Sequence, residues 1–197
     1  MEKFNVTFDS DKHIYTLNGQ RVYSVSQILL EEGFINTQWF TDEGRSRGTA
    51  AHKAIELHCR GAHCFRDPVA EPYLDAFKQF QKDCEWVPHI IEEPMACPQY
   101  SGTADQFGHL NGHLAVLDFK SGAISVVTGL QLVAYEKLYN IYFPENKLPM
   151  KRIALQLTNE GKYKLTEFKD RTHRYIWDSI VAVFHFKKNN KIGGRNV

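Results

Sequence analysis

Leu114-Ala115-Val116-Leu117-Asp118-Phe119-Lys120 is the stretch on which the fold turns. Alternation along an extended strand sends Asp118 and Lys120 to one face and Leu117 and Phe119 to the other, into a core. A carboxylate and an ammonium thus share one surface of an otherwise apolar strand. Just before it, Asn111-Gly112 is a tight-turn pair. The preceding strand, Ser101 to Phe107, therefore returns antiparallel and carries Asp105 near its end. A third strand, roughly His89 to Cys97, precedes both and carries Glu92 and Glu93, either of which can face the same side. After it, Ser125 to Tyr142 has the apolar spacing of a helix through Leu130, Ala134, Leu138 and Ile141, and Pro144 ends it. Gln131 and Tyr135 lie one turn apart on that helix.

Further out, Phe4, Val6 and Phe8 alternate, and Ile14 to Leu17 meets Asn18-Gly19 before Arg21-Val22-Tyr23, the pattern of a hairpin. Ser24-x-x-Gln27 has capping-box spacing ahead of a short helix that Gly33 stops. A linker with Trp39 and Phe40 follows, aromatic residues suited to core packing or to stacking on unpaired bases. Arg45 to His52 leads into a helix running to about Arg60, with His52 and Glu56 one turn apart. Pro68 to Asp83 is a packing helix. Past the central helix, Arg152 to Leu157 and Tyr163 to Phe168 make a second hairpin. Asp170 caps a last helix through Ile176, Trp177, Ile180 and Phe184, and Lys187 to Arg195 reads as a frayed basic tail.

The chain has 197 residues, 43% of them hydrophobic and 24% charged, which predicts one globular domain over 1–197. Twenty-four Lys and Arg against 23 Asp and Glu leave a formal charge of +1, so contact with a polyanion has to come from local positive charge. Cys59, Cys64, Cys84 and Cys97 lack C-x-x-C spacing and are expected as free thiols. Residues 1–11 have no signal-peptide or transit pattern, and no run approaches ~20 apolar residues. The expectation is a cytoplasmic protein without membrane contact.

The chemistry follows from the convergence of Asp105 and Asp118. Two carboxylates at ~4 Å repel by roughly 4 kcal/mol at an effective dielectric of about 20, so such a pair needs a cation. Mg²⁺ or Mn²⁺ suits oxygen ligands. Glu92 can add a third carboxylate, and His52 a nitrogen that favours Mn²⁺. Lys120 is placed to orient or deprotonate an attacking water, or to stabilise charge on a phosphoryl centre. An ordinary lysine pKa of ~10.4 favours positioning and electrostatic stabilisation. Arg45 and Arg47, read as lying just before the helix of His52, can bind a terminal phosphate with help from the helix N-terminus.

These residues together resemble the PD-(D/E)XK nuclease superfamily, in its RecB-like branch with phage exonucleases and the mitochondrial genome maintenance exonuclease. The matching segments are Arg47-Gly48-Thr49-Ala50-Ala51-His52, Glu92-Glu93-Pro94-Met95, Ser101-Gly102-Thr103-Ala104-Asp105, Leu117-Asp118-Phe119-Lys120-Ser121-Gly122 and Gln131-Leu132-Val133-Ala134-Tyr135. Tyr15, Gly19 and Ser24 to Leu29 resemble the N-terminal segment of phage members. The resemblance spans about residues 13 to 168. It implies an α/β fold with a restriction-endonuclease-like core over about 45–168, a central mixed β-sheet flanked by helices. An N-terminal hairpin and helix occupy 1–44, and a C-terminal helix and basic tail 170–197. It implies a Mg²⁺ or Mn²⁺ ion held by His52, Asp105, Asp118 and the backbone carbonyl of Phe119, with Glu92 as a further catalytic acid and Gln131 and Tyr135 on the substrate backbone. DNA, as single strands or duplex ends, is the implied substrate of a phosphodiester hydrolase, in phage-type recombination, replication or repair. Asp118 stands where many members have Glu, and the three closely spaced cysteines of iron-sulfur members are missing after Cys97, so no cluster is expected. A structure-specific or nicking endonuclease, or a DNA-binding module without turnover, are the other readings. Ring-shaped trimers occur among related phage enzymes, but no oligomer seam is legible here.

Overall fold

The computed structural model describes residues 5–36, 38, 41–62, 67–146 and 148–192. Trp39, Phe40, Cys64 and the end of the basic tail lie outside the described residues. Three short strands come first, β1 (Val6–Asp9), β2 (Ile14–Leu17) and β3 (Gln20–Val22), in an antiparallel sheet of that order. The expected hairpin thus gains a third strand. Helices α1 (Val25–Glu31), α2 (Asp42–Cys59) and α3 (Glu71–Asp83) follow. The strands β4 (Val87–Ile91), β5 (Pro94–Ala96), β6 (Ser101–Thr103), β7 (Gln106–Leu110) and β8 (His113–Lys120) come next. The last elements are α4 (Val127–Tyr142), β9 (Lys151–Leu157), β10 (Tyr163–Glu167) and α5 (Thr172–Asn189).

The central sheet has the order β10-β9-β8-β7-β4. It is mixed. Asn111 and Gly112 both take positive φ (48° and 75°), as the tight turn joining β7 to β8 requires. β8 then pairs parallel with β9, and α4 supplies the crossover between them. Both faces of β8 are covered, so its residues from Leu114 to Phe119 are all buried. Leu114 and Val116 pack with α1, α4 and α5 around Leu132, Tyr139 and Trp177. Ala115, Leu117 and Phe119 pack with α2 and α3 around Ile55, Phe77 and Phe80. Asp118 and Lys120 therefore face α4, while His52 approaches from the layer of α2.

Two of the expected long strands are broken. Residues 87–91 and 106–110 pair within the central sheet, whereas 94–96 and 101–103 turn away and pair with one another as a separate ribbon. The ribbon is drawn toward the N-terminal sheet, where Ser101 N–H donates to the Tyr23 carbonyl at 2.9 Å. The breaks fall at Glu92 and Asp105, and Glu92 N–H donates to the Asp105 carbonyl at 3.1 Å. β4 is an edge strand whose register shifts between Pro88 and Ile90. The basic tail begins later than expected: α5 runs to Asn189, and Lys187 and Lys188 pair with Glu32 (2.6 Å) and Glu31 (2.5 Å) of α1. Among the described residues no helix is long and apolar enough to cross a membrane.

Candidate active site

The site forms where the central sheet ends at the carboxyl terminus of β8. Gln106 stands opposite Leu117 in the antiparallel register, which brings Asp105, one residue earlier, level with Asp118. Phe119 N–H donates to Asp105 Oδ2 and fixes that carboxylate against the strand. Glu92 sits in the bend between β4 and β5 with φ at 49°, a left-handed backbone that non-glycine residues seldom adopt. The bend turns Glu92 inward and leaves Glu93 exposed, which decides between the two candidates.

His52 comes from the third turn of α2. That helix starts at Asp42, with Thr41 Oγ accepting from Gly44 N–H at 3.0 Å and Asp42 and Glu43 in its first turn. Buried Ala51 and Ile55 pin the helix on the sheet, and the His52 ring lies edge-on to Phe119 at 5.6 Å between centroids. Its Nδ1 is 3.1 Å from Asp105 Oδ1 and 3.8 Å from Glu92 Oε1. His52, Glu92 and Asp105 each offer a ligand atom within 4.8 Å of the others. Asp118 lies outside this trio, its Oδ2 ion-paired at 2.6 Å with Lys120 Nζ, which also reaches Gln131 Oε1 of α4 at 3.5 Å.

Charge is tightly balanced here. Burial works against an ionised Asp105, but the His52 charge and hydrogen bond, then the Phe119 N–H, hold its pKa below the usual value. Burial likewise disfavours a charged His52, and Asp105 and Glu92 overcome it and raise the imidazole well above 6.5. Burial raises Asp118 and Glu92, and the Asp105 carboxylate pushes both further up. Burial alone would lower Lys120; the Asp118 carboxylate more than offsets it, so the ammonium is held. Tyr135, buried with Asp118 and Asp105 nearby, keeps its phenolic proton far above 10.

Arg45 and Arg47 sit within the first two turns of α2 rather than ahead of it, because the helix begins three residues before Arg45. Arg45 reaches Asp42 at 3.6 Å, and Arg47 has a buried Nε without a hydrogen-bond partner among the described residues. Phe119 meets Asp105 through its backbone N–H, and its ring packs edge-on against His52 and Phe77. A crevice of about 210 Å³ beside Glu92 and Tyr135 is walled by Phe8, His13, Ser24 and Thr103. Tyr15 Oη lies 2.9 Å from Thr103 Oγ1 there. Nothing local in the sequence marks Thr103 or His13 as neighbours of Glu92. The break in the strands brings them together.

No family model matches the chain, and a search of curated proteins finds no match. Among solved structures, a protein from Eubacterium rectale provisionally named an exonuclease aligns over 84% of this chain and 74% of its own at 9% identity, with a TM-score of 0.50. That likeness is one of fold. An alkaline exonuclease from Laribacter hongkongensis aligns over 86% of this chain and 89% of its own at 10% identity, with a TM-score of 0.39, too low to bear on the site.

Proposed function

We propose that the chain is a divalent-metal-dependent DNA exonuclease that hydrolyses phosphodiester bonds, built as a single PD-(D/E)XK domain of the RecB-like branch. The observation that carries this reading is the gathering of His52, Glu92 and Asp105 within 4.8 Å beside the 2.6 Å Asp118–Lys120 pair. One imidazole nitrogen among several carboxylates, two of them with raised pKa, is a donor set that fits Mn²⁺ or Mg²⁺. His52, Glu92 and Asp105 would hold the ion, with Asp118 and the Phe119 carbonyl bordering it. When bound, the ion supplies a Lewis acid for the phosphoryl group and offsets the repulsion among the acids.

The remaining work belongs to the side chains. Lys120 keeps its proton and faces the nonbridging oxygens as a fixed cation, stabilising charge as the phosphoryl centre is attacked. Asp118 and Gln131 hold its Nζ from two sides. Tyr135 retains its O–H as a donor. The crevice beside Glu92 offers room for the sugar or base next to the reacting phosphate. The fold shared with the Eubacterium rectale protein supports the same reading.

The test incubates end-labelled linear and closed circular DNA, single- and double-stranded, with Mg²⁺, Mn²⁺ or EDTA. Metal-dependent loss of linear DNA alone is the expected result. Cutting of circles makes the protein an endonuclease instead, and binding without cleavage makes it a module without turnover.

A further inference from the structure

A second concavity, of about 660 Å³, opens where β8 and β9 begin and β10 runs into α5. Six cationic side chains line it, Lys137, Lys151, Arg152, Lys169, Arg171 and Arg174, against the carboxylates of Glu167 and Asp178. The whole chain carries a formal charge of only +1, so this is a local concentration of positive charge. Part of it is matched: Lys137 pairs with Asp178 at 2.7 Å, Lys169 with Glu167 at 3.3 Å, and Arg174 with buried Glu136 at 2.5 Å. Asp170, at the margin, is engaged by Thr172 N–H and Oγ1 at 2.8 and 2.7 Å. Lys151 and Arg171 have no ionic partner among the described residues.

Two further observations point to an anion. Arg152 is 5% exposed; its Nε pairs with Glu136 at 3.9 Å and its Nη2 donates to the Asp170 carbonyl at 2.9 Å, while Nη1 has no hydrogen-bond partner, so one edge of a guanidinium under the groove is left unmatched. Tyr175, at the rim, is 74% exposed and offers a flat aromatic face beside the cations.

We propose that this groove binds the phosphodiester backbone of a nucleic-acid strand, with a base stacked on Tyr175. Naming a nucleic acid rests on the function proposed above; the affinity for phosphate does not. From Lys151, opposite Ala115, to Gln156, opposite Lys120, the β8–β9 ladder spans five steps, about 17 Å. The groove therefore anchors the strand well away from the bond that is cut.

The test follows a fluorescent oligothymidylate by anisotropy in EDTA at salt concentrations from about 50 to 200 mM. For single strands each lost phosphate contact flattens the slope of log K against log salt by about 0.7, so Lys151→Ala/Arg171→Ala should flatten it by about 1.4. Arg171→Lys, which keeps the charge, should restore half of that difference to the double variant. Tyr175→Ala should weaken binding roughly tenfold with the slope unchanged, as expected for loss of stacking. Slopes and affinities equal to the wild type in these variants, each checked for an unchanged melting curve, overturn the proposal. So does loss of inorganic pyrophosphate binding by the double variant with strand binding intact, which makes the groove a small-phosphate site. Cleavage is scored separately in Mn²⁺: groove-dependent binding by a wild type that never cuts sinks the nuclease reading alone, and cutting with unaltered slopes sinks the groove alone.

Discussion

Burial by itself would favour a neutral Lys120, yet Asp118 at 2.6 Å keeps the ammonium charged, which gives the two residues one shared task. Asp118→Asn frees and misplaces the cation, and Lys120→Ala removes it. Each is expected to cut phosphodiester cleavage by about 10²–10³-fold or more, the scale for loss of one electrostatic stabiliser, while far-UV circular dichroism stays native. The neighbouring acids are separable as well. Glu92→Gln should weaken manganese uptake in calorimetry and Glu93→Gln should not, because only Glu92 lies within 3.8 Å of His52. That difference was not legible in the sequence, where strict alternation leaves either acid free to face inward. The left-handed turn at Glu92 interrupts the alternation, and a single residue in that conformation leaves no compositional trace. Asp118 and Lys120 were legible because β8 is regular over its whole length, so their faces follow from local geometry alone.

At the level of elements, helix starts governed by side-chain caps were the easiest to read. Ser24 Oγ accepts from Gln27 N–H at 3.2 Å, and Gln27 Oε1 accepts from Ser24 N–H at 3.0 Å, completing the expected capping box. Ser24→Ala should cost about 1 kcal/mol of stability, seen as a lower urea midpoint with an unchanged slope. The start of α2 was harder, since Gly44 and Gly48 resemble loop residues; packing of Ala51 and Ile55 overrides that weak preference. One face of α2 also carries a pH-dependent contribution. Hydrogen bonding from Lys53, then the nearby Arg60 charge, lowers the Glu56 pKa below 4.5 despite the opposing effect of burial. Its stabilisation is full above the ordinary value and lost as pH falls through the lowered one. Glu56→Gln should therefore melt slightly below the wild type at neutral pH, by a few tenths of a kcal/mol, and the gap should close in acid.

The whole molecule places its candidate centre where two helical layers meet across one sheet end, with His52 from the α2 layer and Gln131 and Tyr135 from the α4 layer. An ion bound there ties the layers together only in the folded state. Saturating Mn²⁺, at about 100 times its dissociation constant, is expected to add about 2.7 kcal/mol of stability. EDTA should reverse the rise in melting temperature, and His52→Ala should diminish it; a melting curve indifferent to Mn²⁺ would sink the ion. The mixed sheet followed from resemblance rather than from periodicity, because the parallel β8–β9 pairing joins residues on either side of α4 and no local pattern encodes it. The outermost strand on the other flank has its own consequence. β4 carries Pro88, which has no N–H to donate, and a register slip immediately after it. Its rim is a poor template for a foreign strand, so crowded copies of the molecule are kept from stitching into continuous ribbons along that border.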